Sequence, residues 1–199
     1  MATRTALLLH LLAGIGHSSA FSLSQPLPPS AHLRAAAARC CADARPDFSG
    51  QYSMDLKASD PLGPVLRELG LNKVVAALIA RVGVEQTISQ NAQKLLVEVK
   101  TAISTSSLRL TFDGEVTMAP GITGGETACT SRWLDASRLE TRQSLSASDN
   151  LPPSDPAADV FITVRSLGEG GAVLVEDVAV VRGGQPVEGA TAKRILRRV

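Results

Sequence analysis

The chain has 199 residues, 44% of them hydrophobic and only 3% aromatic, with 20 basic and 19 acidic side chains and a net charge of +1. That near-balance excludes the strongly basic surface of most nucleic-acid binders, and so few rings leave no row of platforms on which bases could stack. Every histidine (His10, His17, His32) and two of the three cysteines (Cys40, Cys41) precede residue 47. From there on only Cys129 carries a thiol, so that portion can form no internal disulfide, and the histidine-based triads and common zinc sites are excluded.

The first predicted element is a leader. Arg4 precedes an apolar run from Ala6 to Ile15, and the small residues Ser18-Ser19-Ala20 follow, which is the make-up of a secretory signal peptide over residues 1–20. A membrane anchor is the competing reading, but a span needs about 20 apolar residues, and this run is shorter and broken by His10. Residues 21–46 are rich in Ser, Ala and Pro, with Arg34, Arg39 and Arg45 against the single acid Asp43, as in a disordered transit peptide. A signal peptide followed directly by Phe21 and a transit-like segment resembles the two-part leaders of algae with secondary plastids. That resemblance implies plastid import; the alternative is a secreted protein with a disordered arm. The absence of an Asn-x-Ser/Thr acceptor after the leader favours the plastid.

Residues 47–199 carry 16 basic and 18 acidic side chains and suit one domain. Phe48 to Lys57 reads as a first strand. Asp60 before Pro61 is an N-cap signal for a short helix with Val65, Leu66 and Leu69, closed by Gly70. Asn72 starts a second, in which Val74, Val75, Leu78, Ile79 and Val82 recur at helical spacing to form one apolar face up to Gly83. DNA reading by this helix pair is disfavoured, because few of its groups suit base edges.

Beyond Gly83 the period becomes two. Leu95, Val97 and Val99 alternate with Lys94, Leu96, Glu98 and Lys100, and Leu108, Leu110 and Phe112 with Arg109 and Thr111. Turn signals at Asp113-Gly114, Gly124-Gly125, Asp135-Ala136-Ser137, Gly170-Gly171 and Gly183-Gly184 punctuate successive hairpins, and Ser146 to Ala158, with three prolines, reads as an exposed loop between two of them. The pattern predicts an all-β domain: a ten-stranded antiparallel up-and-down β-barrel, with a helix-turn-helix lid between its first and second strands. A barrel of more than about eight strands leaves internal volume for a ligand.

The opening Phe48-Ser-Gly-Gln-Tyr52, the helix joint Leu69-Gly70-Leu71, the strand starting near Val84 and the ending Gly189 to Val199 together resemble the cytosolic fatty-acid-binding proteins, a lipocalin-like branch of the calycin superfamily. The resemblance implies a fatty-acid carboxylate held by an Arg and Tyr two residues apart on the last strand and by a second Arg on an earlier one. Arg194 matches the first arginine and Arg165 lies close to the second; Leu196 stands at the tyrosine's position. The segment Trp133-Leu-Asp-Ala-Ser-Arg-Leu139 resembles a motif of the plastid fibrillins, the second family considered.

Strand parity groups Arg194 with Ala192 and Leu196, and Arg165 with Thr163 and Phe161, so the expected ligand-binding set is Arg165, Arg194, Leu196, Phe161 and Thr163. An acyl chain would supply affinity at about 0.8 kcal/mol per methylene, and the arginines orientation at roughly 1.5–3 kcal/mol per charge-assisted bond. The competing reading makes Lys193, Arg194, Arg197 and Arg198 a solvated basic end, which could also touch anionic lipid headgroups. Cys129 is expected to be a buried hydrophobe and Trp133 and Phe112 core residues. The expectation is a monomeric, non-enzymatic carrier of a fatty acid or similar small hydrophobic ligand, with no cofactor and no nucleic-acid partner. The alternatives are an assembly or structural protein at thylakoids and a calycin-type enzyme using carboxylates such as Glu98, Glu176 or Asp177.

Overall fold

The computed structural model describes residues 45–100, 105–121, 125–146 and 151–199. The signal segment and nearly all of the transit-like segment lie outside the described residues. Ten strands run β1 (Gly50–Met54), β2 (Glu85–Gln90), β3 (Lys94–Lys100), β4 (Thr105–Thr111), β5 (Thr117–Pro120), β6 (Glu126–Trp133), β7 (Leu139–Ser144), β8 (Val160–Gly168), β9 (Val173–Arg182) and β10 (Gln185–Arg198). Two helices, α1 (Gly63–Glu68) and α2 (Lys73–Ile79), lie between β1 and β2.

All ten strands form one sheet in the order β4-β3-β2-β1-β10-β9-β8-β7-β6-β5, every pair antiparallel. The up-and-down order with β10 returning beside β1 is the expected barrel. Its wall is not ladder-paired all the way round. Here β4 is held to β5 and β6 mainly by side chains: the Thr117 hydroxyl of β5 donates to Arg109 O at 3.3 Å and the Ser131 hydroxyl of β6 donates to Thr111 O. The Gly114 N–H donates to Ser131 O at 3.1 Å below them.

Period-two alternation fixes which residues line the interior. Tyr52 pairs with Gln86, which pairs with Val99; Ile88 pairs with Val97, which pairs with Leu108. Residues opposite one another on neighbouring strands share a face, so these rows point inward together. At the end of the barrel far from the helices the inward residues Phe48, Tyr52, Leu95, Val97, Leu110, Leu139, Leu174 and Leu196 pack into one buried apolar cluster that includes Cys129. Trp133 stacks on Phe48, with ring centroids 5.8 Å apart, and meets Phe112 at 5.5 Å. Contacts of this end reach back to residues 45 and 46: the Arg45 guanidinium sits 5.2 Å from the Trp133 ring and Gln90 Nε2 donates to Pro46 O at 3.0 Å.

At the helical end, Val65 of α1 and Leu69 just after it pack on Val178 and Val180 of β9 and on Ala190 and Ala192 of β10. Several expectations are corrected here. Strand β1 stops at Met54 because the Asp55 carboxylate accepts the N–H groups of Lys57 and Ala58 and turns the chain. Helix α1 begins at Gly63 with Leu62 as its cap, and Pro64 supplies the fixed φ of the first turn. Asp60 is no N-cap: its N–H donates to Lys193 O and its carboxylate accepts the Lys193 N–H, both at 2.8 Å, so the signal read as a helix start ties the lid to β10. Val74 and Leu78 of α2, expected on the packed face, are 79% and 63% exposed, because Ala76, about 200° round the helix from Val74, is the residue turned to the core.

The loop before β8 is exposed at Leu151, Pro152, Ser154, Pro156 and Ala157, as expected, and it is fastened to the barrel. Arg142 Nε donates to Pro153 O at 2.6 Å, and Ala158 packs with Val160 and Val181 on the barrel's outer surface. Gly184, at φ +78°, passes so close beneath this loop that an added Cβ would lie 2.5 Å from Pro156 O. Among the described residues no helix is long and apolar enough to cross a membrane.

Candidate functional site

Between the two apolar clusters lies a band of polar side chains inside the barrel. Strand β9 carries Leu174, Glu176, Val178 and Val180 on its inward face. Glu176 is directly opposite Arg165 on β8 and Arg194 on β10. All three side chains therefore project from adjacent strands to the same side, and the carboxylate is held from both flanks. Arg165 Nε donates to Glu176 Oε1 at 2.9 Å, and Arg194 Nη2 lies 3.2 Å from Oε2. Gln86 of β2 donates Nε2–H to the same Oε2 at 3.2 Å, and Arg165 Nη1 donates to the Thr141 hydroxyl at 3.0 Å.

Glu176 is fully buried and Arg165 is 5% exposed, while Arg194 keeps partial exposure at the edge of the cluster. Burial pushes the Glu176 pKa up, but the charges of Arg194 and Arg165 and the hydrogen bonds from Gln86 and Arg165 outweigh it and hold the carboxyl below its ordinary value. The group comprises two cations and one anion. Two buried polar atoms in it have no hydrogen-bond partner, Arg194 Nε and Gln86 Oε1. The orientation of Gln86 is fixed by its neighbour, because an ionised carboxylate only accepts and the amide must turn its N–H₂ toward it.

The structure brings the five site residues expected from sequence onto the inward faces of β8 and β10. Arg165, Thr163 and Leu196 are buried; Arg194 and Phe161 are half-buried, with Phe161 against the cluster beneath the helices. Lys193 and Arg197 point outward, where they pair with Asp177 and Asp55. The solvated basic end read from Lys193, Arg194, Arg197 and Arg198 does not include Arg194, which turns inward to pair with Glu176, as Arg165 does. Leu196 contributes no polar group and belongs to the far apolar cluster.

Sequence reasoning left Glu176 without a place. The signal was present but ambiguous: Glu176 and Asp177 are adjacent, and the row Val173, Val175, Ala179, Val181 is as apolar as the row that proved to face inward, so either acid could have been the inner one. Cys129 is fully buried, and burial pushes its thiol pKa up to about 12, far from a reactive thiolate. Among the described residues no group of three or more His, Cys, Asp or Glu side chains is placed to hold a metal ion.

No protein-family model matches the chain, and no curated protein matches its sequence. Solved structures do match, and they show the fold: it is that of the fatty-acid-binding proteins, as the sequence resemblance implied. A Schistosoma mansoni fatty acid binding protein in complex with arachidonic acid is similar at 18% identity and a TM-score of 0.58, covering 76% of this chain and 96% of its own. An Echinococcus granulosus fatty-acid-binding protein matches at 15% identity and 0.58, covering 76% and 97%. A Drosophila melanogaster brain fatty-acid-binding protein matches at 14% and 0.57, covering 76% and 99%. At these identities the likeness is one of fold.

Proposed function

We propose that the protein binds and carries a fatty acid or similar small hydrophobic molecule inside the barrel, with the ligand's polar end directed to the band around Glu176. The observation that supports this reading is a largely buried polar cluster with unpartnered hydrogen-bonding atoms, set between apolar clusters beneath a helical lid. Apolar walls with few convergent polar groups suit an amphipathic guest: the walls supply affinity and the cluster sets orientation. Carriage is preferred to catalysis. Cys129 is inert, and Glu176 is committed to two arginines and holds its proton too weakly for acid–base work near neutral pH. The similar structures bear names of binding and transport. The composition of residues 1–46 supports delivery to a plastid, and the clustered basic residues at the end of β10 a transient contact with anionic membranes during transfer.

Nile red titrated into the purified full-length chain should show saturable uptake with blue-shifted emission, displaced by long-chain lipids. Absence of uptake, together with no lipid extracted from protein isolated from its own cells, would overturn the carrier reading.

A further inference from the structure

We propose that the preferred guest carries a neutral hydroxyl and not an ionised carboxylate at its polar end, because Glu176 already stands as the carboxylate that the two arginines require. This rests on the carrier reading above. Arg165 spends Nε on Glu176 and Nη1 on Thr141, and Arg194 spends Nη2 on Glu176. The two buried atoms of the group with no hydrogen-bond partner at all are a donor, Arg194 Nε–H, and an acceptor, Gln86 Oε1, and both belong to side chains that grip the same oxygen, Glu176 Oε2. A hydroxyl offers one acceptor and one donor and can satisfy both. An ionised carboxylate offers acceptors alone. It would satisfy Arg194 Nε–H, leave Gln86 Oε1 facing another negative oxygen, and meet repulsion from Glu176, while losing more hydration on entry than an alcohol does.

The charge count points the same way. Two arginines around one carboxylate is the arrangement that the sequence resemblance implied for a bound fatty acid, and here the protein supplies the carboxylate from β9. Replacing Glu176 by the isosteric Gln would free both cations for an acid brought in from outside.

The test is displacement of Nile red from the full-length chain at pH 7.5 by hexadecan-1-ol and by hexadecanoic acid, matched in chain length and delivered from cyclodextrin. The alcohol should displace the dye at a concentration at least roughly tenfold lower than the acid. In Glu176→Gln the order should reverse, the acid gaining tenfold or more. Equal displacement by both lipids in the unmodified protein, or a stronger acid, overturns the proposal while leaving the carrier reading intact. Displacement by neither overturns the carrier reading itself. Should Glu176→Gln not fold, the comparison of the two lipids on the unmodified chain still decides, and Gln86→Leu supplies the second variant: the alcohol's advantage should shrink at least threefold, and an unchanged advantage counts against the proposal.

Discussion

Glu176→Gln is the substitution with the largest expected effect on stability. The carboxylate is wholly buried and takes hydrogen bonds from Arg165 and Gln86 and an ion pair from Arg194. Glutamine keeps the volume and one acceptor but removes the charge, leaving two cations facing each other inside the wall. Removing one member of a buried charged pair costs about 3–5 kcal/mol, and because the Arg194 side chain keeps 17% exposure, through which water can reach it, the lower half, about 3–4 kcal/mol, is expected. With a urea m-value of about 2 kcal/mol/M for a domain of this size, the unfolding midpoint should fall by about 1.5–2 M at unchanged slope. Intrinsic fluorescence of the single tryptophan, Trp133, reports the transition. The effect should also depend on pH. The Glu176 pKa is held below its ordinary value of 4.5, so its contribution is complete above about pH 4.5 and disappears as pH falls through the folded-state value, where the two proteins should converge. Replacing all three charges together, with Arg165→Met, Glu176→Leu and Arg194→Met, should recover most of the loss, because no uncompensated charge remains. A midpoint shift below about 0.5 M for Glu176→Gln would refute the reasoning.

Two further outcomes probe the packing. Leu174→Ala, at a fully buried inward position, should cost about 2–5 kcal/mol in urea unfolding, whereas Val175→Ala on the outward row should cost under about 1.5; comparable losses would show that the facing of β9 is wrong. The Cys129 thiol should react with a disulfide reagent in native buffer at least roughly 100-fold more slowly than in 8 M urea, read by mass mapping of its peptide, since reaction must wait for opening of the wall.

The strand count, the hairpin turns and the helical lid were legible because each rests on local chemistry: alternation in Lys94–Lys100, glycines at Gly170-Gly171 and Gly183-Gly184, and Gly70 between two helical patterns. What stayed hidden depends on partners distant in sequence. Asp60 reads as a helix cap until Lys193, 133 residues away, takes up both its backbone and its side chain. Val74 and Leu78 look like a packing stripe in a segment too short for periodicity to choose between faces. The two arginines could be placed by parity alone. The acid joining them could not, because β9 is apolar on both sides and its parity is fixed only by the strands that flank it.

The seam between β4 and β5 sets where this cylinder yields. Elsewhere in the wall, parting neighbouring strands means breaking a run of main-chain bonds; here the fastenings are a hydroxyl on Thr117 of β5, another on Ser131 of β6 and the lone main-chain bond from Gly114 to Ser131, and each hydroxyl can turn away by a single rotation about its own Cα–Cβ bond. Slow sideways widening should therefore begin along the Arg109–Thr117 line, and amide protons on the facing edges of those two strands should exchange with solvent sooner than any in the β8–β9–β10 quarter, which carries the charged cluster and so keeps its shape while the opposite side opens.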